Sequence, residues 1–354
     1  MLSRPIQEGL TPDKDKSRRR DLRRANLIGV DLRGEDLSGA DLTEADLRET
    51  SLSGCRLCRA NLSGARLAGT DLRGADLTGA HFSGSSLTGV MLEGATLPGV
   101  SFDGATIVDS DLAGANLERA SLTRASLEGC RASEANLKGA DLRGAILTGV
   151  DLTRASLVMV TLTGAHLAGV VLRSANLVEA DLTSAVLFGT DLTLLTASGA
   201  SFREATFNNT KARLADFSLA DFTGAMATEG VSFERANLSR AKLERFTARE
   251  VIFEFADLRE AGMIGADFTG ANLVGACLRG TTAFRCRFDA ADLNWAELDG
   301  FSSQECHAQG VRYSETSSIN HRAMGARPPG VVRVPLFRRA STNEERRMWT
   351  GKQQ

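Results

Sequence analysis

From Leu22 onward a large apolar position returns every fifth residue, at Leu27, Leu32, Leu37, Leu42 and beyond. The spacing holds as far as Ala227, 42 units in all. It slips by one residue across 228–232, within MATEGVSF, then resumes at Phe233 and runs another 14 units to Leu298. Weaker copies at Ser303, Ala308 and Tyr313 trail off. Neither an ordinary helix nor an ordinary strand buries such a pattern. An amphipathic helix needs apolar residues at i, i+3, i+4 and i+7, and a half-buried strand needs alternation. A step of five turns about 140° around a helix of ~3.6 residues per turn, which spreads successive leucines round the whole circumference. A fixed period kept for this long is the pattern of a stacked array, in which each unit buries its apolar residue against its neighbours.

The residue two positions before each leucine is small with equal regularity, as at Ala40, Ala45, Ala60, Ala65, Ala75 and Ala80. Both positions point inward, so the interior is narrow. The remaining positions carry Asp, Asn, Ser, Thr, Arg and Gly and face water. The frequent glycine two residues after the leucine suits a turn position of positive φ, as in a type II turn.

The units ADLTE at 40–44, ANLSG at 60–64, TDLRG at 70–74 and ANLVG at 271–275 carry a resemblance to a known family, the pentapeptide-repeat proteins, with consensus A(D/N)LXX. The resemblance covers roughly residues 20–315. It implies an all-β fold, a right-handed quadrilateral β-helix with four pentads per coil. About 14 coils at a strand spacing of ~4.8 Å would make a rod of roughly 65–70 Å. Coils of twenty residues would stack Phe82 on Phe102, Phe202 on Phe222, Phe233 on Phe253 and Phe268 on Phe288. They would also pair Thr50 with Thr70 and Thr190 with Thr210 at the small inward position, where a neighbouring coil is the nearest source of hydroxyl partners.

The chain therefore divides into an N-terminal basic segment or cap (1–20), a first solenoid part (21–227), the slip (228–232), a second solenoid part (233–319) and a C-terminal basic tail or cap (320–354). The slip reads as a one-residue bulge or as a small loop. Ala197 and Ala212 replace leucine in the stretch 192–216, which predicts a thinner core there. Thr11, Pro12, Asp13 and Asp15 suit the start of a short helix over the first coil. Ser341 or Thr342 with Glu344 and Glu345 resembles a capping box. Val331, Val332, Val334, Leu336, Phe337 and Trp349 give the tail apolar residues that would cover the last coil or dock on a partner. No apolar stretch suits a signal peptide or a membrane span, which points to the cytoplasm, with export as an effector left open.

Charge is informative once it is divided. The full chain holds 42 basic and 44 acidic residues. Counting by segment gives 8 basic and 4 acidic in residues 1–24, and 8 basic and 2 acidic in 321–354. The rod between them keeps 26 basic and 38 acidic residues, so it is acidic while both ends are basic. An acidic rod does not wrap nucleic acid, which needs a basic face, but it suits a protein with a basic groove.

Placing each residue on the coil removes the apparent sites. Cys55 and Cys58 form a CxxC, yet Cys55 takes the small inward position and Cys58 an outward one, so no shared metal or disulfide is expected. Cys286 and Cys306 take inward positions one coil apart and read as core fillers. The histidines His81, His166, His307 and His321 are scattered. No cofactor, metal site or catalytic residue is expected, and the chain reads as non-enzymatic.

One surface feature stands out. Outward positions between 146 and 188 are apolar at Ile146, Val158, Met159, Val171, Val178, Val186 and Phe188. With twenty-residue coils, Ile146, Val186 and Phe188 fall on one face and Val158 and Val178 on another, and such a strip suggests contact with a partner, a homodimer seam or the C-terminal tail. Composition leans bacterial, rich in Ala, Gly, Arg and Asp with one Tyr. The leading expectation is a non-catalytic, protein-binding solenoid scaffold. The resemblance adds two alternatives. Some members of the family look like duplex DNA and bind type II topoisomerases such as gyrase, protecting them from inhibitors; others are secreted bacterial effectors.

Overall fold

The computed structural model describes residues 20–313. The basic N-terminal segment up to residue 19 and the chain from 314, including the expected caps and the tail residues Val331 to Phe337 and Trp349, lie outside the described residues.

Each pentad makes the same short path. The residue before the leucine pairs in parallel with its equivalent one coil away, the leucine points inward, and the next two residues turn the chain. Leu22 N–H donates to Asp41 O at 2.7 Å and Asp41 N–H to Arg20 O at 2.9 Å, which is the parallel ladder in one step. The turn closes where Ala25 N–H donates to Leu22 O at 3.1 Å. Its second central residue has positive φ throughout, +66° at Gly29 and +55° at Arg24, as the glycine pattern predicts.

Four walls result, each a ladder of bridges about twenty residues apart. The first wall climbs from Asp21 through Asp41, Asn61, His81, Ser101, Ser121, Asp141, Thr161, Asp181, Ser201, Asp221, Lys242, Gly262 and Thr282 to Ser302. The second wall begins at Asn26, the third at Asp31 and the fourth at Asp36. Longer extended pieces lie on two walls. On the second are β1 (Ser86–Thr88), β2 (Thr106–Val108), β3 (Ser126–Glu128), β4 (Val186–Phe188), β5 (Thr206–Asn208), β6 (Met226–Ala227) and β7 (Thr247–Ala248). On the first are β8 (Gly262–Ile264), β9 (Thr282–Phe284) and β10 (Ser302–Gln304). All pair in parallel. Among the described residues there is no helix; the fold is a β-solenoid of stacked parallel coils.

The slip is an enlarged corner. Met226 pairs with Thr206 twenty residues before it but with Thr247 twenty-one after it, while Ser232 and Ile252 are again twenty apart. The extra residue lies in Thr228–Val231. Gly230 turns the chain at φ +73°, and a Cβ there would stand 3.2 Å from Asn209 Cα, so glycine suits both the conformation and the tight space. Val231 and Phe233 are buried, and the core columns continue across the corner.

The interior is built as the pentad rhythm requires. The four expected phenylalanine pairs stack at centroid distances of 4.8, 5.0, 5.3 and 5.4 Å. The inward threonines donate across coils, Thr50 Oγ1 to Leu27 O and Thr70 Oγ1 to Leu47 O, both at 2.8 Å. The expectation of a thin core at 192–216 is corrected. Ala197, Ala212, Ala227 and Ala248 are buried beside Phe202, Phe207, Phe217, Phe222, Phe233 and Phe246, whose rings meet at 5.0–6.5 Å. Phe217 and Phe222 share a coil with Ala212 and Ala227, and the small residues make room for the rings.

A candidate protein-binding surface

The outward acidic residues have a local task. Backbone N–H groups two residues on donate to their carboxylates, Arg33 N to Asp31 at 3.1 Å and Thr43 N to Asp41 at 3.1 Å, and Asn61 serves Ser63 in the same way. This fastening of the turn explains why Asp and Asn recur before the leucine. Where the residue after the leucine is Arg, its guanidinium also grips that carboxylate: Arg33–Asp31 at 2.6 Å, Arg73–Asp71 at 2.8 Å and Arg143–Asp141 at 2.6 Å. Hydrogen bonds from the Arg33 side chain hold the Asp31 carboxyl down to about 2, and Arg73 lowers Asp71 in the same way. Other pairs cross coils, including Arg24–Glu44, Arg173–Asp191, Arg249–Asp267 and Arg285–Glu305, each at 2.7 Å. The acidic excess of the rod is thus interleaved with arginine.

The apolar positions between 146 and 188 fall on more than one face, with the two groups where the twenty-residue columns put them. Ile146, Val186 and Phe188 lie on the second wall, Val171 on the third, and Val158 and Val178 on the fourth, with Met159 at the edge that follows the fourth. Ile146, Met159 and Phe188 are exposed, while the four valines are half-buried. The second-wall group continues to Met226, which is exposed two coils beyond Val186.

A longer apolar line runs along the edge between the third and fourth walls. Successive coils place Leu194, Leu214, Arg235, Phe255, Gly275 and Trp295 at the second turn position of that edge. Leu194, Leu214, Phe255 and Trp295 are 41–55 % exposed. The Arg235 guanidinium carbon lies 5.6 Å from the Phe255 ring centroid. The ring itself lies over the next coil, where a Cβ on Gly275 would come 2.5 Å from Phe255 Cε1. Ile252 is exposed and Val274 half-exposed on the adjoining wall. Six coils span about 24 Å at a spacing of ~4.8 Å. The signal of this ridge in the sequence is a column of apolar residues at steps of twenty, or twenty-one across the slip.

Two depressions open on the surface. One is lined by Arg20, Asp21, Asp41, Arg59, Asn61 and His81 at the N-terminal end of the first wall, the other by Ser218, Leu219, Asn237, Arg240, Arg259 and Glu260. Cys55 is buried and donates to Leu32 O, whereas Cys58 is partly exposed and donates to Asp76, so the CxxC faces two environments. Among the described residues no three His, Cys, Asp or Glu side chains group as metal ligands, and no helix is long and apolar enough to cross a membrane.

The repeat itself is matched by a known family. A family model described as Pentapeptide repeats matches in eight copies between residues 21 and 282. HetL, a pentapeptide repeat protein involved in heterocyst differentiation regulation from the cyanobacterium Nostoc sp. strain PCC 7120, is 30 % identical. That match covers 72 % of this chain and 89 % of HetL, with a TM-score of 0.22. A pentapeptide repeat protein from the Arabidopsis thaliana thylakoid lumen is 32 % identical over 27 % of this chain and 66 % of its own, with a TM-score of 0.27. Full-length QnrB1, a plasmid-mediated fluoroquinolone resistance protein, is 21 % identical over 62 % of this chain and all of its own, with a TM-score of 0.28. No curated protein matches the chain. With the repeat matched along most of the described coils, the chain belongs to the pentapeptide-repeat family.

Proposed function

We propose that this solenoid is a non-catalytic scaffold that binds a protein partner along the edge ridge Leu194–Leu214–Arg235–Phe255–Trp295. The observation that carries the reading is where these side chains sit. Left-handed backbone costs a residue with a Cβ roughly 1–2 kcal/mol, which is why glycine fills so many of these corners. Leucine, phenylalanine and tryptophan that stay about half exposed at such positions leave apolar surface in water. Two unfavourable choices, repeated at four of six successive positions of one edge, make sense where a partner supplies the burial. Aromatic residues beside arginine are also the side chains that dominate protein interfaces.

The alternative, a rod that imitates duplex DNA for a type II topoisomerase, would call for continuous unpaired carboxylates. Interleaved Asp–Arg pairs favour the scaffold. The experiment compares affinity capture from the native cell extract by the full chain and by a Leu194→Glu, Leu214→Glu, Phe255→Glu variant, with a gyrase supercoiling assay in parallel. The reading expects a partner held by the parent and lost by the variant. Equal capture by both would remove the ridge from the interface, and inhibition of supercoiling would replace the scaffold reading with the topoisomerase one.

A further inference from the structure

We propose that Cys286 and Cys306 form a redox-active dithiol that takes a low-molecular-weight disulfide of the glutathione class as its oxidant and closes into a staple between two coils. The pair stacks in register on the second wall: His307 N–H donates to Cys286 O at 2.9 Å, and Phe288 N–H to His307 O at 2.7 Å. Parallel neighbours in register lie ~4.8 Å apart, within the Cα separation of about 4.4–6.8 Å that a disulfide bridges.

Both side chains take the small inward position, where the Cys286 thiol donates to Met263 O at 3.2 Å and the Cys306 thiol to Gln304 O at 3.3 Å. Cys286 N–H also points at Cys306 Sγ, 3.4 Å away. Among the described residues no other cysteine has a second sulfur above or below it: Ala75 follows Cys55, and Val150 follows Cys130 in their columns.

The two thiols differ in a way that orders the chemistry. Cys286 is buried, whereas Cys306 is partly exposed, in a coil whose Leu298, Phe301, Ala308 and Tyr313 are themselves only partly covered. The neighbouring Cys286 thiol, and the Cys286 N–H that donates to Cys306 Sγ, lower the Cys306 thiol, which favours its thiolate.

Cys306 is therefore the attacking sulfur. Its thiolate displaces one glutathione thiolate from glutathione disulfide, which leaves a mixed disulfide on Cys306. The Cys286 thiol passes its proton to the departing glutathione and attacks the Cys306 sulfur, which releases the second glutathione. Two protein thiols are oxidised and one glutathione disulfide becomes two glutathione thiols. The bond joins Cys286 to the last described coil, whose partly buried core residues make local opening easier.

The test treats the full chain with glutathione disulfide, alkylates the remaining thiols and maps peptides. The chain has six cysteines, so the expected thiol titre falls from six to four with a Cys286–Cys306 cross-link. Cys306→Ser should abolish the cross-link. Cys286→Ala should hold the glutathione adduct on Cys306, and alanine is the residue this inward column carries one coil earlier, at Ala266. Hydrogen exchange at Ser302–Gln304 should slow on oxidation of the parent only. A stable glutathione adduct on the parent without a cross-link, a cross-link through another cysteine, or six free thiols after treatment would each overturn the proposal.

Discussion

The aromatic centre of the solenoid offers a quantitative test of how the square interior is filled. Phe222 meets five other rings: Phe202 at 5.0 Å, Phe217 at 5.5 Å, Phe246 at 5.6 Å, Phe207 at 5.9 Å and Phe233 at 6.1 Å. Truncation to alanine should cost about 3–5 kcal/mol, since neighbouring backbone tied into ladders collapses little into the cavity. Ala212 lies in the same coil on the opposite wall, and the Phe222 ring already meets Phe233, the residue one coil beyond Ala212. Ala212→Phe alone should overpack the coil at a cost of about 1–3 kcal/mol. The double variant Phe222→Ala, Ala212→Phe restores the volume and should cost less than about 2 kcal/mol, near the range of volume-conserving swaps. The two single costs therefore should not add, and the coupling should reach about 3 kcal/mol, well beyond the ~0.5 kcal/mol expected of independent sites. Guanidinium unfolding followed by circular dichroism measures the cycle. Because coils unfold as nearest-neighbour units, hydrogen exchange at the Phe202 and Phe222 amides, which donate to Asp221 O and Lys242 O, localises the effect. Additive losses in the double variant would refute the idea that alanines at leucine positions exist to admit the rings.

Other expectations follow from single contacts. Thr70→Val should cost only about 1 kcal/mol in the same unfolding assay, because Leu47 O keeps its turn hydrogen bond from Thr50 N–H at 3.1 Å. Gly275→Ala places a Cβ against the Phe255 ring at φ +65°. It should destabilise by about 1 kcal/mol and displace the ring, so partner binding should weaken more than stability does; unchanged binding would count against the ridge. Asp31 and Asp71 have carboxyls lowered by Arg33 and Arg73, Asp31 to about 2. A folded value below the unfolded ~3.9 means that their contribution is complete above about pH 4 and fades as pH falls toward 2. Thermal melts between pH 2 and 6 should show a shallower acid loss for Asp31→Asn, Asp71→Asn than for the parent, and parallel curves would contradict the pairing.

The rhythm of five was enough to give nearly every side chain in the rod a direction. Leucine points in because it recurs at one phase, and each residue returns above its equivalent because four pentads make a coil. That is why the stacks of Phe82 on Phe102 and Phe268 on Phe288, the inward threonines and the one-residue slip near Gly230 were legible in the chain. What meets across the interior or along an edge was not. Ala212 looked like a deficit until Phe217 and Phe222 stood beside it, because a one-dimensional pattern records no volume from the facing wall. The columns of twenty already separate Ile146, Val186 and Phe188 from Val158 and Val178, and the coil adds Val171 on a third wall and Met159 at an edge. Leu194, Leu214, Phe255 and Trp295 are far apart in sequence and share an edge, because neighbours on a solenoid surface are twenty residues away, or twenty-one across the enlarged corner. Direction, coil and class of fold follow from the five-residue period alone; which side chains share a space depends on distances between walls, and the period does not contain them.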